Sequence, residues 1–257
     1  MKKFSVVTTF NNKGFDACAK EMLLSFDKFW SKDIALNVYY EDMNLPEIGT
    51  SNRISFSSFN EEVKKWYKFQ SNFFLRELNK PHNPINAFYR YSATYAHSAI
   101  KFAHKIYAIE KQLEKNISEY LIWLDSDVIT FKKIENSFID TLVDNDSYLT
   151  FLGREHINFH SDAGFLIFNT KNKFHKIFWE RMMEMYDYGK LFDEKEWHDS
   201  YILDVVRLEL EKKSLKNINI SLMGLGKTKD KLNVFDNSVL GEFMNHFKGN
   251  RKLNIKL

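Results

Sequence analysis

Residues 120–131, YLIWLDSDVITF, decide how this chain is read. Tyr120 to Leu124 form a short unbroken apolar run. Strands and buried helices share such runs, but its brevity and the β-branched Val128, Ile129 and Thr130 beyond it favour a strand. Asp125, Ser126 and Asp127 stand where the run stops. Carboxylates resist burial unless they are paired or bound to a cation. Along a strand, residues i and i+2 share a face, so a small bend at the strand end would turn both aspartates towards one ion. A hard divalent cation with open positions is what a substrate diphosphate needs. Asp also favours turns and helix caps; the position directly after an apolar strand is what points to a metal site.

Working outward, Phe4 to Phe10 reads as a strand that ends at the turn formers Asn11, Asn12 and Gly14. Ala19, Met22, Leu23, Phe26 and Trp30 recur at helical spacing within residues 15–30, and residues 34–40 return to a strand. Strand, helix, strand in that order predicts a parallel α/β unit. No GxGxxG follows the first strand, so a dinucleotide-binding turn is not supported. Residues 44–58 read as irregular and 60–79 as helix, broken by Pro81 and Pro84. Residues 87–115 read as helical, with Ala99, Ala103, Ile106 and Ile109 towards the sheet. Downstream, 132–142 reads as a short helix or turn, 148–152 and 165–168 as strands, 172–188 and 195–213 as helices, and 218–222 as the last strand. The predicted fold class is α/β, with a single mixed, mostly parallel sheet flanked by helices. No linker or repeat interrupts it, so residues 1–257 are expected to form one domain.

Composition narrows the classes. Hydrophobic residues make up 44% of the chain, with 24 Phe, 12 Tyr and 5 Trp, which supplies a sizeable core and excludes disorder. A formal charge of +3, from 37 basic and 34 acidic side chains, excludes a dedicated nucleic-acid binder but leaves room for a local positive pocket. The single cysteine, Cys18, excludes an intramolecular disulfide and an all-cysteine metal site, and fits a reducing compartment. The start MKKFSVVTTF is too short for a signal-peptide core, and nothing approaches the roughly 18 consecutive apolar residues of a membrane span. A cytoplasmic protein is expected, with aromatic and lysine side chains that tolerate peripheral membrane contact.

LIWLDSDV resembles the Asp-x-Asp strand of glycosyltransferases with the GT-A fold. The resemblance implies Mn²⁺ or Mg²⁺ on Asp127, with Asp125 sharing the metal and contacting the ribose. It places Arg90 and Lys105 where related enzymes face the nucleotide or donor diphosphate; the planar guanidinium suits Arg90 to a phosphate or carboxylate. Asp162-Ala163-Gly164 resembles the segment lining the donor sugar, with Asp162 holding hydroxyls and Ala163 and Gly164 admitting close backbone approach. Glu196-Trp197-His198-Asp199-Ser200 resembles the acidic helix head near the reacting centre. There Asp199 would bind the acceptor hydroxyl or take its proton, and Trp197 would stack on a sugar or join the core. His160, beside a turn, reads as solvent-exposed. Asn245-His246-Phe247-Lys248-Gly249 resembles the C-terminal His-x-x-Gly segment of retaining transferases related to glycogenin and to bacterial lipopolysaccharide galactosyltransferases. It implies His246 as the third metal ligand, with Lys248 and the Gly249 backbone cradling the diphosphate. Residues 241–257 are then expected to close the metal and diphosphate site.

The function implied is metal-dependent transfer of a sugar from a nucleoside diphosphate, a UDP-sugar first among the donors, to a hydroxyl on a glycan or glycolipid. If the transfer inverts configuration, a carboxylate must deprotonate the acceptor, Asp199 first and Asp162 second. Nucleotidyl transfer is an alternative, although TTFNNKG makes a poor phosphate loop. A non-catalytic carbohydrate-binding or scaffold protein of the same fold is another, against which the intact Asp125, Asp127 and His246 argue.

Overall fold

The structure is a computed structural model that describes residues 2–41, 48–59, 99–115, 117–154, 157–223 and 232–248. The strands are β1 (Lys2–Asn11), β2 (Ala35–Glu41), β3 (Ile54–Ser58), β4 (Ser118–Leu124), β5 (Val128–Thr130), β6 (Leu149–Leu152), β7 (Asp162–Asn169), β8 (Asn217–Asn219) and β9 (Met244–His246). Seven of them form one sheet in the order β3-β2-β1-β4-β7-β6-β8, while β5 and β9 pair separately. β1 is parallel to β2 and β4, β2 to β3, and β6 to β8. β7 runs antiparallel to both of its neighbours. Its first residue therefore lies at the same edge as the last residues of the parallel strands, where ligands bind in open α/β sheets.

Among the described residues, four helices of ten or more residues flank the sheet: α1 (Lys20–Phe29), α2 (Ala99–Glu114), α3 (His175–Asp187) and α4 (Asp199–Glu211). α1 continues a helical turn, Asn12–Gly14, and a π-helical stretch, Phe15–Ala19. Asn11 starts that run by accepting the Gly14 amide on its side chain at 2.8 Å. The predicted stripe Ala19, Met22, Leu23, Phe26 and Trp30 is buried, packed with Phe4 and Val6 of β1. On the other face, Val7 meets Ala99, Ala103 and Ile106 of α2.

β4 alternates between these layers. Tyr120, Ile122 and Leu124 face α1; Leu121 and Trp123 face α2, α3 and α4. Cover on both faces is the reason a parallel strand reads as one continuous apolar run. Each such side chain contributes roughly 1.5–3 kcal/mol by leaving water. Truncating the fully buried Ile122 to alanine would cost about 2–5 kcal/mol.

Three expectations are revised. Ile54–Ser58, read as irregular, is an edge strand on β2. Only Ile54 of that strand is buried, so it carries too little apolar alternation to be seen in sequence. Arg53 before it is anchored on the carbonyls of Phe26, Asp27, Ser31 and Ile34. Second, Val128–Thr130 is a separate strand paired with Met244–His246, a partner more than a hundred residues away in sequence. Third, the last strand of the sheet is Asn217–Asn219, and Ile220–Leu222 turns into a 3-10 helix. The helix expected over 60–79 and the first part of that over 87–115 lie outside the described residues.

Candidate metal and diphosphate site

β4 runs to Leu124, and Asp125 keeps one bond to β7 before the chain enters a tight turn. The Asp125 amide donates to the Gly164 carbonyl at 2.9 Å, and the Val128 amide donates to the Asp125 carbonyl at 3.0 Å. That turn leads straight into β5. Opposite β5 lies β9, with His246 in register with Val128, and the Phe247 amide donates to the Asp127 carbonyl at 2.9 Å. The ladder sets the imidazole against both carboxylates. His246 Nε2 lies 3.0 Å from Asp127 Oδ1 and 3.4 Å from Asp125 Oδ2. Its Nδ1 lies 3.5 Å from Oδ1 of Asp162, the first residue of β7.

Gly164 makes this approach possible. A Cβ there would stand 2.2 Å from His246 Cε1 and 2.5 Å from Nδ1. Its amide also donates to Asp162 Oδ1 at 2.9 Å, which orients that carboxylate. The second Asp162 oxygen faces Lys248 Nζ at 2.8 Å. Lys248 itself is partly exposed, with 39% of its side chain accessible.

Behind the aspartates sits a buried cation. Lys105 of α2 lies 3.2 Å from Asp125 Oδ1 and 2.8 Å from Asp199 Oδ2, donates to the Ala163 carbonyl, and stands over the Trp123 ring. Trp123 Nε1 donates to Asp125 Oδ1 at 2.6 Å. Burial pushes the Asp125 carboxyl up, but Lys105 and His246 more than reverse this and hold it below the usual carboxylate range. Burial likewise opposes ionisation of Asp162, and Lys248 and His246 outweigh it. Burial pushes the His246 imidazole down, yet Asp162, Asp125 and Asp127 carry it up to about 10.

A divalent cation fits this donor set. His246 is 1% exposed, and neither ring nitrogen makes a hydrogen bond of acceptable geometry, although carboxylates lie within ion-pair distance. Buried polar atoms are rarely left so. Asp125, Asp127 and His246 bring one ligand atom each within 4.8 Å of one another. Two hard oxygens and one imidazole suit Mn²⁺ or Mg²⁺.

The structure thus brings Asp125, Asp127, Asp162, Ala163, Gly164, His246 and Lys248 together, with Lys105 and Asp199 immediately behind. Asp199 opens α4 and is buried. Arg90 and Gly249 lie outside the described residues. Trp197 donates through Nε1 to the Glu194 carbonyl and sits edge-on to Phe192, packed against the core. His160, expected in solvent, is only part-exposed and forms a second potential metal-binding group with Glu196 and His198. Sequence reading missed that group. Its only local signal was Glu196-x-His198, and His160 joins through tertiary contact.

No family model matches the sequence, and no curated protein matches it. Solved structures do. The chain has the fold of glycosyltransferases. The bifunctional glycosyltransferase WbbM matches with a TM-score of 0.57 at 14% identity, covering 97% of this chain and 46% of WbbM. This chain therefore spans about half the length of that protein. The galactosyltransferase LgtC, solved with donor and acceptor sugar analogues, matches at 0.50 and 17% identity over 96% of this chain and 87% of its own. Mouse xyloside xylosyltransferase 1 matches at 0.50 and 13% identity over 99% of both chains. Identities this low establish the fold alone: a GT-A-like α/β arrangement with a mixed, mostly parallel sheet flanked by helices. Among the described residues, no helix is long and apolar enough to cross a membrane.

Proposed function

We propose that the chain is a glycosyltransferase that moves a sugar from a nucleoside diphosphate, a UDP-sugar first, to a hydroxyl of a glycan or glycolipid. The observation that carries this reading is the meeting of Asp125, Asp127 and His246 at the carboxyl edge of the sheet, with Asp162 and Lys248 beside them. Asp125, Asp127 and His246 would hold Mn²⁺ or Mg²⁺, which offsets charge developing on a departing diphosphate. Lys248 exchanges its Asp162 partner for a diphosphate oxygen, and its partial exposure leaves it room to turn. Asp162, released, accepts hydrogen bonds from donor-sugar hydroxyls. Arg90 and the Gly249 amide are further diphosphate contacts. Lys105 acts behind the site: it neutralises Asp125 and Asp199 together and so fixes where each points. Asp199 receives the acceptor hydroxyl, and in an inverting reaction takes its proton.

The whole of residues 1–257 forms this transferase domain, with residues 241–257 closing the site, and it works in the cytoplasm. The test is calorimetric titration with UDP-, GDP-, ADP- and CMP-linked sugars, each with and without Mn²⁺. One donor is expected to bind only with metal, and Asp127→Asn should abolish that binding and turnover while the protein stays folded. Unchanged donor binding in Asp127→Asn, or no donor bound by folded protein, would overturn the reading.

A further inference from the structure

His160, Glu196 and His198 stand beside the proposed transfer site without belonging to it. His198 Nε2 is 2.9 Å from Glu196 Oε2, and His160 Nε2 is 3.7 Å from Glu196 Oε1. The two imidazole rings lie 5.5 Å apart between centroids. One ligand atom from each residue falls within 4.8 Å of the others. A tetrahedral ion with ligands near 2.0–2.2 Å wants its ligand atoms about 3.3–3.6 Å apart. The two carboxylate distances, one to each Glu196 oxygen, lie on either side of that span.

We infer that His160, Glu196 and His198 form a second cation site, one for a borderline divalent ion of the zinc class. The donor chemistry separates it from the first set. Asp125, Asp127 and His246 offer two oxygens and one nitrogen, whereas this group offers two imidazoles and one carboxylate, the three-ligand pattern that zinc takes with a fourth position left open. His160 Nδ1 faces Asp204 Oδ2 at 3.9 Å, longer than a hydrogen bond, and a small turn of the ring towards it would give a ligating histidine its carboxylate partner. Asp204 is itself held by the Ser161 amide and hydroxyl at 2.8 and 2.6 Å and by Arg207. Access is open on one side, because the His160 and Glu196 side chains are 36% and 27% exposed while His198 is buried.

One feature sets the affinity. Without an ion, His198 Nδ1 accepts the Tyr201 amide at 3.3 Å as the cap of α4, which leaves the proton on Nε2 towards Glu196. An ion at Nε2 takes that proton's place and moves a proton to Nδ1, so binding gives up the cap bond. The position gives the ion a consequence. His160 lies two residues before Asp162, and His198 lies one before Asp199. A cation here would tie the entry of β7 to the entry of α4, the two segments that deliver those carboxylates to the first site.

The experiment needs no sugar donor, so it stands or falls apart from the transferase reading. Metal-stripped chain is titrated with Zn²⁺ alone, and bound ion is counted per chain; Co²⁺ replaces Zn²⁺ for visible absorption, which reports coordination geometry. Two equivalents are expected in the parent protein. One should remain in Asp127→Asn/His246→Ala, and its Co²⁺ spectrum should be that of a four-coordinate ion. The pair His160→Ala/Glu196→Gln should lose that equivalent, and Glu196→Gln alone, which keeps the side-chain shape, should weaken it at least tenfold with an unchanged circular dichroism spectrum. An Asp127→Asn/His246→Ala variant that binds no equivalent, or a His160→Ala/Glu196→Gln variant that binds as many as the parent, overturns the proposal.

Discussion

Gly164→Ala is a one-carbon test of how the first site is built. Gly164 has no left-handed backbone requirement, so alanine is tolerated by the main chain and the added Cβ is the whole perturbation. That atom would lie 2.2 Å from His246 Cε1, where ordinary contact begins near 3.4 Å, so the ring must retreat by about 1.2 Å. It has little room to do so. Phe235 packs edge-on to the ring at 5.1 Å, the His246 amide is bound to Asp236, and the β5–β9 ladder holds the backbone. Overpacking of this kind costs about 1–3 kcal/mol, of which about 0.5–1 kcal/mol returns because alanine suits a strand better than glycine. If His246 yields instead, the ligand set opens, and Mn²⁺ affinity falls by at least the 10–100-fold typical of disturbed metal-site support. The assay is a double-mutant cycle. Gly164→Ala is measured by urea denaturation and Mn²⁺ calorimetry in the parent and in His246→Ala, where the ring clash is gone and the 3.1 Å approach to Asp162 Oδ1 remains. The stability cost should largely vanish in the second background. Equal costs in both backgrounds, together with parental Mn²⁺ affinity, would refute the close-approach argument.

Lys105→Met removes the buried cation between Asp125 and Asp199 and should destabilise the protein by about 3–5 kcal/mol, seen as a fall in Tm of roughly 6–20 °C; an unchanged Tm would show that the carboxylates are neutralised otherwise. Glu110 is pushed up to about 7 by burial, then by Asp187 and Glu114, from an ordinary 4.5. The folded chain therefore keeps a proton that the unfolded chain has lost, and stability falls as pH rises from about 4.5 through 7, by on the order of 1 kcal/mol after allowance for its partial exposure. Glu110→Gln should flatten that slope between pH 5 and pH 8, and a parental slope in the variant would exclude Glu110 as its source. His246, carried to about 10 without metal, is protonated at neutral pH and must release that proton to bind an ion. Mn²⁺ affinity should rise with pH by up to tenfold per unit below about 10, and calorimetry in buffers of different ionisation enthalpy at pH 7.5 should count one proton released; none released would contradict the ligand role.

Local patterns in the sequence carried much of the fold. The apolar run of β4, the helical stripe from Ala19 to Trp30 and the α2 residues Ala99, Ala103 and Ile106 all lie where their periodicity placed them. Each of those signals comes from residues that are close in sequence and buried against a large surface. Elements stabilised mainly by a distant partner were not legible. β3 buries one side chain, and β5 and β9 are three residues each and exist as strands because they pair with each other.

The site divides in the same way. Sequence alone determined that Asp125 and Asp127 end a buried strand, because burial forbids unpaired carboxylates inside the sheet and their spacing keeps them together. It also singled out His246, Lys248, Asp162 and Asp199 by resemblance. Only the tertiary structure decided who meets whom. Lys105 reaches Asp125, Asp199 and Ala163 from a separate helix, His246 passes over Gly164 because a hydrogen stands where a Cβ would, and His160, just before β7, joins Glu196 and His198 just before α4. Charge compensation and close approach act over a few ångströms in space, and the residues that supply them are 20 to 121 positions apart along the chain.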